Sequence, residues 1–254
     1  MENQIRIAAL ADIHITQNDK GKWDAVFTEI SENADIMIIA GDLTDTGDEH
    51  EAEILAESLR GCHIPVIAVL GNHDYEKGKQ KEIRSILQRA GMHLLDGEAV
   101  VIKGVGFAGV KGFGGGFGKF MLSMFGEPAM KAFVQETVDE VLKLDRALAA
   151  LDKNDEQIPK IALMHYSPLA ETIEGEPTEI FPFLGSSRLA EPLLRRQVDA
   201  VFHGHAHCGV LTGNLDKVTV YNVAYPVLKK QGYAKGYLIL EVPINTTEDQ
   251  STRL

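Results

Sequence analysis

Five short clusters in this chain combine aspartate, asparagine and histidine, the side chains that hold divalent metals through oxygen and imidazole nitrogen. They are Asp12-Ile13-His14, Gly41-Asp42-Leu43-Thr44-Asp45, Gly71-Asn72-His73-Asp74, His165-Tyr166-Ser167-Pro168 and His203-Gly204-His205-Ala206-His207. No thiolate belongs to them. The two cysteines, Cys62 and Cys208, lie far apart and form no C-x-x-C pair. Such a donor set suits Mn, Fe, Zn or Ni rather than a cysteine-rich structural zinc. It is also larger than one tetrahedral zinc can use, and it suits two ions that share a carboxylate. Asp12 and His14 are two apart, as are His205 and His207. In extended backbone residues i and i+2 point to the same side, so each pair can present two groups to one centre. A glycine before Asp42, Asn72 and His205 lets the chain turn where a side chain would crowd the site.

Taken singly, most of these clusters have a structural explanation. An Asp-x-His pair arises easily by chance. Gly41-Asp42-Leu43-Thr44-Asp45 could be a turn that caps a helix, since Asp and Thr both cap well. Gly71-Asn72-His73-Asp74 could be a turn built on Asx side chains. Two histidines flanking Ala206 at a strand end are harder to assign to packing. The five in this order leave a structural account little room.

The elements that must position them read as short apolar strands alternating with helices. Strands are expected at 5–10, 35–40, 65–70, 99–103, 105–110, 160–164, 199–202, 217–221 and 236–242, and helices at 22–33, 48–60 and 127–151. In the last of these Val134, Val138, Val141, Leu142 and Leu148 fall near helical spacing. The opening βαβαβ pattern favours a parallel sheet with helices packed on it. The runs at 99–110 and 217–242 follow one another through short turns, which suggests antiparallel additions and a mixed sheet. Each cluster follows a strand, and in α/β sheets ligands bind outside the carboxyl ends of the strands, so the clusters are expected at one sheet edge.

The bulk properties set outer limits. Residues 1–254 read as one domain, with a polar tail at 245–254 expected to fray. The formal net charge is 25 − 37 = −12, which repels polyanions and argues against extended nucleic-acid binding. The N-terminus has no basic segment followed by a long apolar one, and no apolar run approaches the ~20 residues of a membrane span. With unpaired cysteines added, a cytoplasmic protein with no membrane partner is expected.

In motif order, the chain resembles the calcineurin-like metallophosphoesterases, whose pattern is D-x-H, G-D-x-x-D, G-N-H-D/E, a single His and then G-H-x-H. Every element is present between Asp12 and His207. The resemblance implies an α/β fold of four layers, αββα, in which two mixed sheets are flanked by helices. It implies Asp12, His14 and His207 as ligands of a first metal, Asn72, His165 and His205 as ligands of a second, and Asp42 as the bridge. Two ions, with Mn or Fe favoured, would activate a bridging water as nucleophile on a phosphate ester. His73 would protonate the leaving oxygen, and Asp74 would orient His73 by a hydrogen bond.

Departures from the pattern bear on substrate. Ser/Thr protein phosphatases carry Arg after the second motif and Glu at the end of the third, where this chain has Thr46 and Asp74. A small phosphodiester, as in the small bacterial phosphodiesterases of the family, is therefore the expected substrate. A phosphomonoesterase or nuclease on the same metals is the alternative. A scaffold that had lost catalysis should lack His73 or a ligand, and none is missing. Tyr166 replaces the second His of a common His-His pair and changes the wall of the substrate site. His203 is expected behind the site, and His50, His63 and His93 as ordinary residues. Gly104 to Gly109 matches G-x-G-x-x-G but leads into a strand, not a helix, so no dinucleotide fingerprint is read there. The glycine-rich run 112–118 is no Walker loop. It is read as a flexible surface loop or as a lid bearing Phe113 and Phe117. The acidic segment 169–187 is expected to form the other rim of the cleft.

Overall fold

A computed structural model describes residues 3–154 and 158–244. The polar tail at 245–254 lies outside the described residues. Apolar runs too short for helices form β1 (Asn3–Leu10), β2 (Ile36–Ala40), β3 (Val66–Val69) and β4 (Met92–Leu94). They are joined by α1 (Asp24–Asn33), α2 (Glu49–Ser58) and α3 (Gln80–Arg89). These four strands run parallel and pair in chain order. Asp48 starts α2 with a capping box, its carboxylate accepting from the helix N-terminus while Glu51 reaches back.

A second sheet contains β5 (Glu98–Ile102), β6 (Val105–Gly109), β7 (Lys160–Leu163), β8 (Ala200–His203), β9 (Thr212–Leu215) and β10 (Val218–Asn222). The long helix α4 (Pro128–Asn154) connects β6 to β7, while α5 (Phe181–Leu184) and α6 (Ala190–Arg196) precede β8. The chain then passes through α7 (Tyr225–Lys230) and returns to the first sheet as β11 (Leu238–Ile244). The strand orders are β11-β1-β2-β3-β4 and β5-β6-β7-β8-β10-β9. Both sheets are mixed, because β11, β5 and β9 are antiparallel edge additions.

Strand alternation assembles the layers. In the second sheet Phe107, Ile161, Leu163 and Phe202 point inward and share the main core with Ile7, Ile38 and Ile67 of the first sheet. Their neighbours Ala108, Ala162, Met164 and Val201 point outward and meet Leu144, Ala147, Leu148 and Leu151 of α4. Those α4 residues follow the i, i+3, i+4, i+7 spacing of one helical stripe. Phe27, Ile30, Leu55, Ile83 and Leu87 cover the other face of the first sheet from α1, α2 and α3. The result is two mixed sheets flanked by helices, αββα.

Several details depart from the sequence reading. The runs near 217 and 238 are no hairpin: β10 and β11 belong to different sheets, because α7 carries the chain across the sandwich. Strands β4 and β9 and helices α3, α5, α6 and α7 are additional to the elements the sequence pattern predicts. Leu142 faces solvent at 50% exposure, since the buried stripe of α4 runs through Leu144 instead. The loop at 112–116 is no free surface loop. The Gly112 N–H donates to Glu140 Oε2 at 2.7 Å, the Thr137 hydroxyl donates to the Gly114 carbonyl, and residues 114–116 are buried. No helix among the described residues is long and apolar enough to cross a membrane.

Candidate metal centre

The clusters do meet, but at the carboxyl ends of two sheets and not one. The loops after β1, β2 and β3 come from the first sheet, and those after β7 and β8 come from the second. Backbone hydrogen bonds zip them together: the Asp12 N–H to the Gly41 carbonyl at 3.0 Å, His14 to Asp42 at 3.1 Å, and Gly204 to His165 at 3.2 Å. The extended backbone supposed for the paired residues is absent. Asp12, His14, Asp42 and His205 have φ of 56°, 41°, 50° and 70°. This left-handed region is uncommon for residues with a Cβ, although Asp and His tolerate it best. Strain of this kind gathers at functional sites, where the surrounding structure must enforce it. Of the preceding glycines only Gly41 uses a positive φ, 90°. At Gly71 and Gly204 close approach decides, because a Cβ there would strike the carboxylates of Asp42 and Asp12.

Two main groups of donors result, and a third, His14, Asp45 and His73, overlaps the first at His14. In the first, Asp12, His14 and His207 place a ligand atom each within 4.8 Å of one another. Asp12 is pinned from beneath by the His205 N–H at 3.0 Å, and its Oδ1 accepts from His207 Nε2 at 3.0 Å. That bond raises the His207 pKa. Both ring nitrogens of His14 are buried without a hydrogen-bond partner, and burial lowers its pKa. A buried imidazole with nothing to bond is costly unless another ligand takes its lone pair.

The second group is Asp42, His165 and His205, again within 4.8 Å of one another, and Asn72 joins it through His165. His165 Nδ1 lies 3.0 Å from the Ala40 carbonyl, an acceptor only, so Nδ1 carries the hydrogen. Nε2 therefore points its lone pair at Asn72 Oδ1, 2.8 Å away, and at Asp42 Oδ1, 3.3 Å away. Three electron-rich atoms converge there, an arrangement that a cation or a shared proton can hold together. Burial pulls the His165 pKa down, but the Asp42 carboxylate outweighs it and holds it up at about 9. In return Asp42 stays well below the usual carboxylate range although burial opposes this. His205 Nε2 donates to the Phe183 carbonyl at 3.2 Å from the rim segment, leaving Nδ1 free. Asp42 faces both groups, with Oδ1 toward His165 and Oδ2 3.7 Å from His14 Nε2. The donors thus fit a pair of cations.

His73 stands beside the first group, its ring edge-on to His14 with centroids 4.5 Å apart. Here the sequence reading needs correction. Asp74 does not touch His73. Its fully buried carboxylate accepts from the N–H groups of Leu43, Thr44 and Gly71 and from the Thr44 hydroxyl. Burial and the charge of Asp42 push its pKa up. Asp74 is thus a brace between the second and third loops. His73 is oriented by Asp45, whose carbonyl lies 2.5 Å from His73 Nδ1. The Asp45 carboxylate approaches His14 Nδ1 at 3.4 Å. Asp45 was visible as the last residue of the second motif, but a backbone carbonyl leaves no mark in residue type.

His203 lies behind the centre with both nitrogens engaged, by the Thr172 hydroxyl and the Gly204 carbonyl at 2.8 Å each. Tyr166 packs against His205 with the rings tilted at 48° and their centroids 4.5 Å apart. Glu171 and Glu176 of the rim accept backbone N–H groups from Asn214 and Cys208, so they hold loops together instead of facing the metal donors.

Comparison with known proteins agrees with this centre. The model of the calcineurin-like phosphoesterase family matches residues 5–209. The chain belongs to that family, whose members use a dinuclear metal site. Among solved structures it is similar to the phosphopantetheinyl hydrolase of Mycobacterium tuberculosis, at 16% identity and a TM-score of 0.65, covering 94% of this chain and 97% of that one. It is also similar to a putative 5′-nucleotidase of Staphylococcus aureus, at 15% identity and 0.53, covering 87% and 48%. A third is the anchor in the inner membrane complex of Plasmodium, at 12% and 0.52, covering 88% and 72%. At these identities the likeness shows the fold. No curated protein matches the sequence.

Proposed function

We propose that this protein is a metal-dependent hydrolase of small phosphodiesters. Asp12, His14 and His207 would hold one ion, Asn72, His165 and His205 a second, and Asp42 would span both. The observation that carries the reading is the convergence of His165 Nε2, Asn72 Oδ1 and Asp42 Oδ1, with the unpartnered nitrogens of His14 on the far side of Asp42. The fold alone would not suffice, since related folds serve as enzymes and as an anchor. Manganese or iron suits the oxygen and imidazole donors, and when bound the pair supplies Lewis-acid activation of water and of the phosphoryl group.

The protein's own part in the reaction is proton management and orientation. The Asp45 carbonyl holds the hydrogen of His73 on Nδ1, so Nε2 is the atom that exchanges protons. In its doubly protonated form His73 gives that Nε2 proton to the leaving oxygen as the P–O bond breaks. Water supplies the oxygen that replaces it on phosphorus. The backbone N–H of His73 also donates to Asp42 Oδ1 at 2.9 Å, which ties the acid's loop to the bridging residue. Among the described residues no lysine or arginine pairs with the carboxylates of the centre, Asp12 and Asp42. The buried Lys111 ammonium is turned to the Gly112 carbonyl at 2.8 Å and to Glu136 at 3.7 Å. A monoanionic diester therefore suits the site better than a dianionic monoester.

The test is turnover of bis(p-nitrophenyl) phosphate against p-nitrophenyl phosphate after Mn²⁺ loading. The diester is expected to be turned over at least as well. A strong preference for the monoester would replace this reading with a phosphatase. No turnover of either ester by metal-loaded protein would replace it with a binding scaffold.

A further inference from the structure

Beside the second group of donors a cavity of about 230 Å³ opens to the surface. Asn72 and His205 form its inner end, and Phe113, Phe133, Phe183 and Tyr166 form its walls. Neither a carboxylate nor an ammonium lines it. The walls are built and not incidental. Phe133 of α4 packs on Phe113 with centroids 4.9 Å apart and on Phe183 at 6.1 Å, and Phe113 meets Tyr166 at 5.6 Å. Lys111 sits over the rings of Phe113 and Tyr166, 4.6 and 5.3 Å from their centroids, and steadies both. Phe183 stands at the mouth, 58% exposed.

We infer that this cavity is the subsite for an apolar, ring-sized substituent that stays on phosphorus after hydrolysis. The inference rests on the phosphodiesterase reading and sharpens it to a substrate class: a phosphodiester with one aromatic or bulky hydrocarbon ester group. Position fixes which ester group is meant. His73, the proton donor, packs against His14 at the other end of the centre, so the leaving oxygen lies on that side. The cavity adjoins Asn72 and His205, where the retained substituent must point. Size and chemistry fix the rest. An apolar cavity of ~150 Å³ already holds a benzene ring, and aromatic walls favour flat or hydrocarbon guests over hydroxylated ones. A glycerol or sugar would find hydrogen-bonding side chains only in Asn72 and His205 at the inner end and in the Tyr166 hydroxyl.

The experiment compares p-nitrophenyl phosphodiesters whose retained group is methyl, 2,3-dihydroxypropyl or benzyl. All three are alkyl esters with the same leaving group, so their intrinsic reactivity is matched. The Mn²⁺-loaded protein should favour benzyl over methyl by about 10–100-fold in kcat/KM, with no comparable gain for dihydroxypropyl. Phe133→Ala removes a wall and Phe133→Trp fills the space, and both should move the benzyl-to-methyl ratio toward one. Phe183→Ala, at an exposed position that tolerates truncation, should lower the ratio in the same direction. Phenylphosphonate should inhibit methyl ester turnover more strongly than methylphosphonate, and Phe133→Trp should erase that difference. Equal turnover of benzyl and methyl esters would overturn this subsite and leave the phosphodiesterase reading standing. So would a benzyl preference that survives all three substitutions. Failure to hydrolyse any of the diesters would overturn both.

Discussion

The two groups of donors face the same bridging carboxylate but are built differently. His165 and Asp42 of the second group are almost fully buried, and His165 and His205 each spend one nitrogen on a backbone carbonyl of another loop. The first group is more open. His14 and His207 side chains are 21% and 41% exposed, and neither ring of this pair is held by a backbone carbonyl. A ligand fixed in tautomer and direction before the ion arrives binds more tightly than one that must be ordered by it. The buried group should therefore hold its ion more tightly than the open one, beside which His73 stands.

The sharpest break of this comparison comes from Asp42. Asp42→Ala should abolish turnover and leave the protein short of the about two ions per chain that the centre can hold, because it strips a ligand from both groups. His207→Ala should release only the exposed ion and keep the buried one. Elemental analysis during a chelator titration tests both, and simultaneous loss of both ions from His207→Ala would remove the asymmetry. His73→Ala comes next. It should keep both ions and lose ~10²–10⁴-fold in kcat on an ester with an alkyl leaving group, with a smaller loss when nitrophenolate leaves, since that anion needs no proton. Equal losses on the two would assign His73 to phosphate positioning, and loss of metal would make it a ligand.

The smallest effect concerns the metal-free protein and its pH dependence. Burial holds His203 and His205 down at about 4, below their ordinary 6.5. Between those values the unfolded chain binds protons that the folded one refuses, so stability should fall as pH drops from 6.5 toward 4. His165 has the opposite sign. Its pKa is raised to about 9 against burial by Asp42, so the stability it contributes is complete below 6.5 and is lost as pH rises toward 9. Each group contributes a slope of at most about 1.4 kcal/mol per pH unit. Denaturant titrations of metal-free protein should give maximal stability near pH 6.5. Adding Mn²⁺ should remove the alkaline decline, since a cation then occupies the place of the His165 proton. An alkaline decline of the same size with metal bound would contradict the proposed role of His165.

Legibility in the sequence followed the range of the interactions. The parallel start was readable because the strands at 36–40 and 66–69 are apolar at every position, as strands buried on both faces must be. The hairpin from β5 to β6 was readable because Lys103 and Gly104 turn the chain locally, with φ of 51° and 79°. Helix α3 carries its own local signal in the helical spacing of Ile83, Ile86 and Leu87. Strand β9, Thr212 to Leu215, carried almost none, because Gly213 and Asn214 become a strand only through pairing with β10.

The sequence by itself determined the inventory of chemistry. Five motifs in order named the donors, the absence of cysteine among them excluded a thiolate site, and Thr46 in place of Arg turned the reading away from protein phosphatases. These follow from residue type and order, which the sequence states outright. Only the tertiary structure decided how the donors share the work. It brought them together from two sheets, put Asp12, His14, Asp42 and His205 in left-handed backbone, and moved the orienting of His73 from Asp74 to the Asp45 carbonyl. It also gathered Phe113, Phe133, Tyr166 and Phe183 from separate segments into one wall. Such matters depend on contacts between residues far apart in the chain and on backbone atoms that every residue carries, and residue type encodes neither.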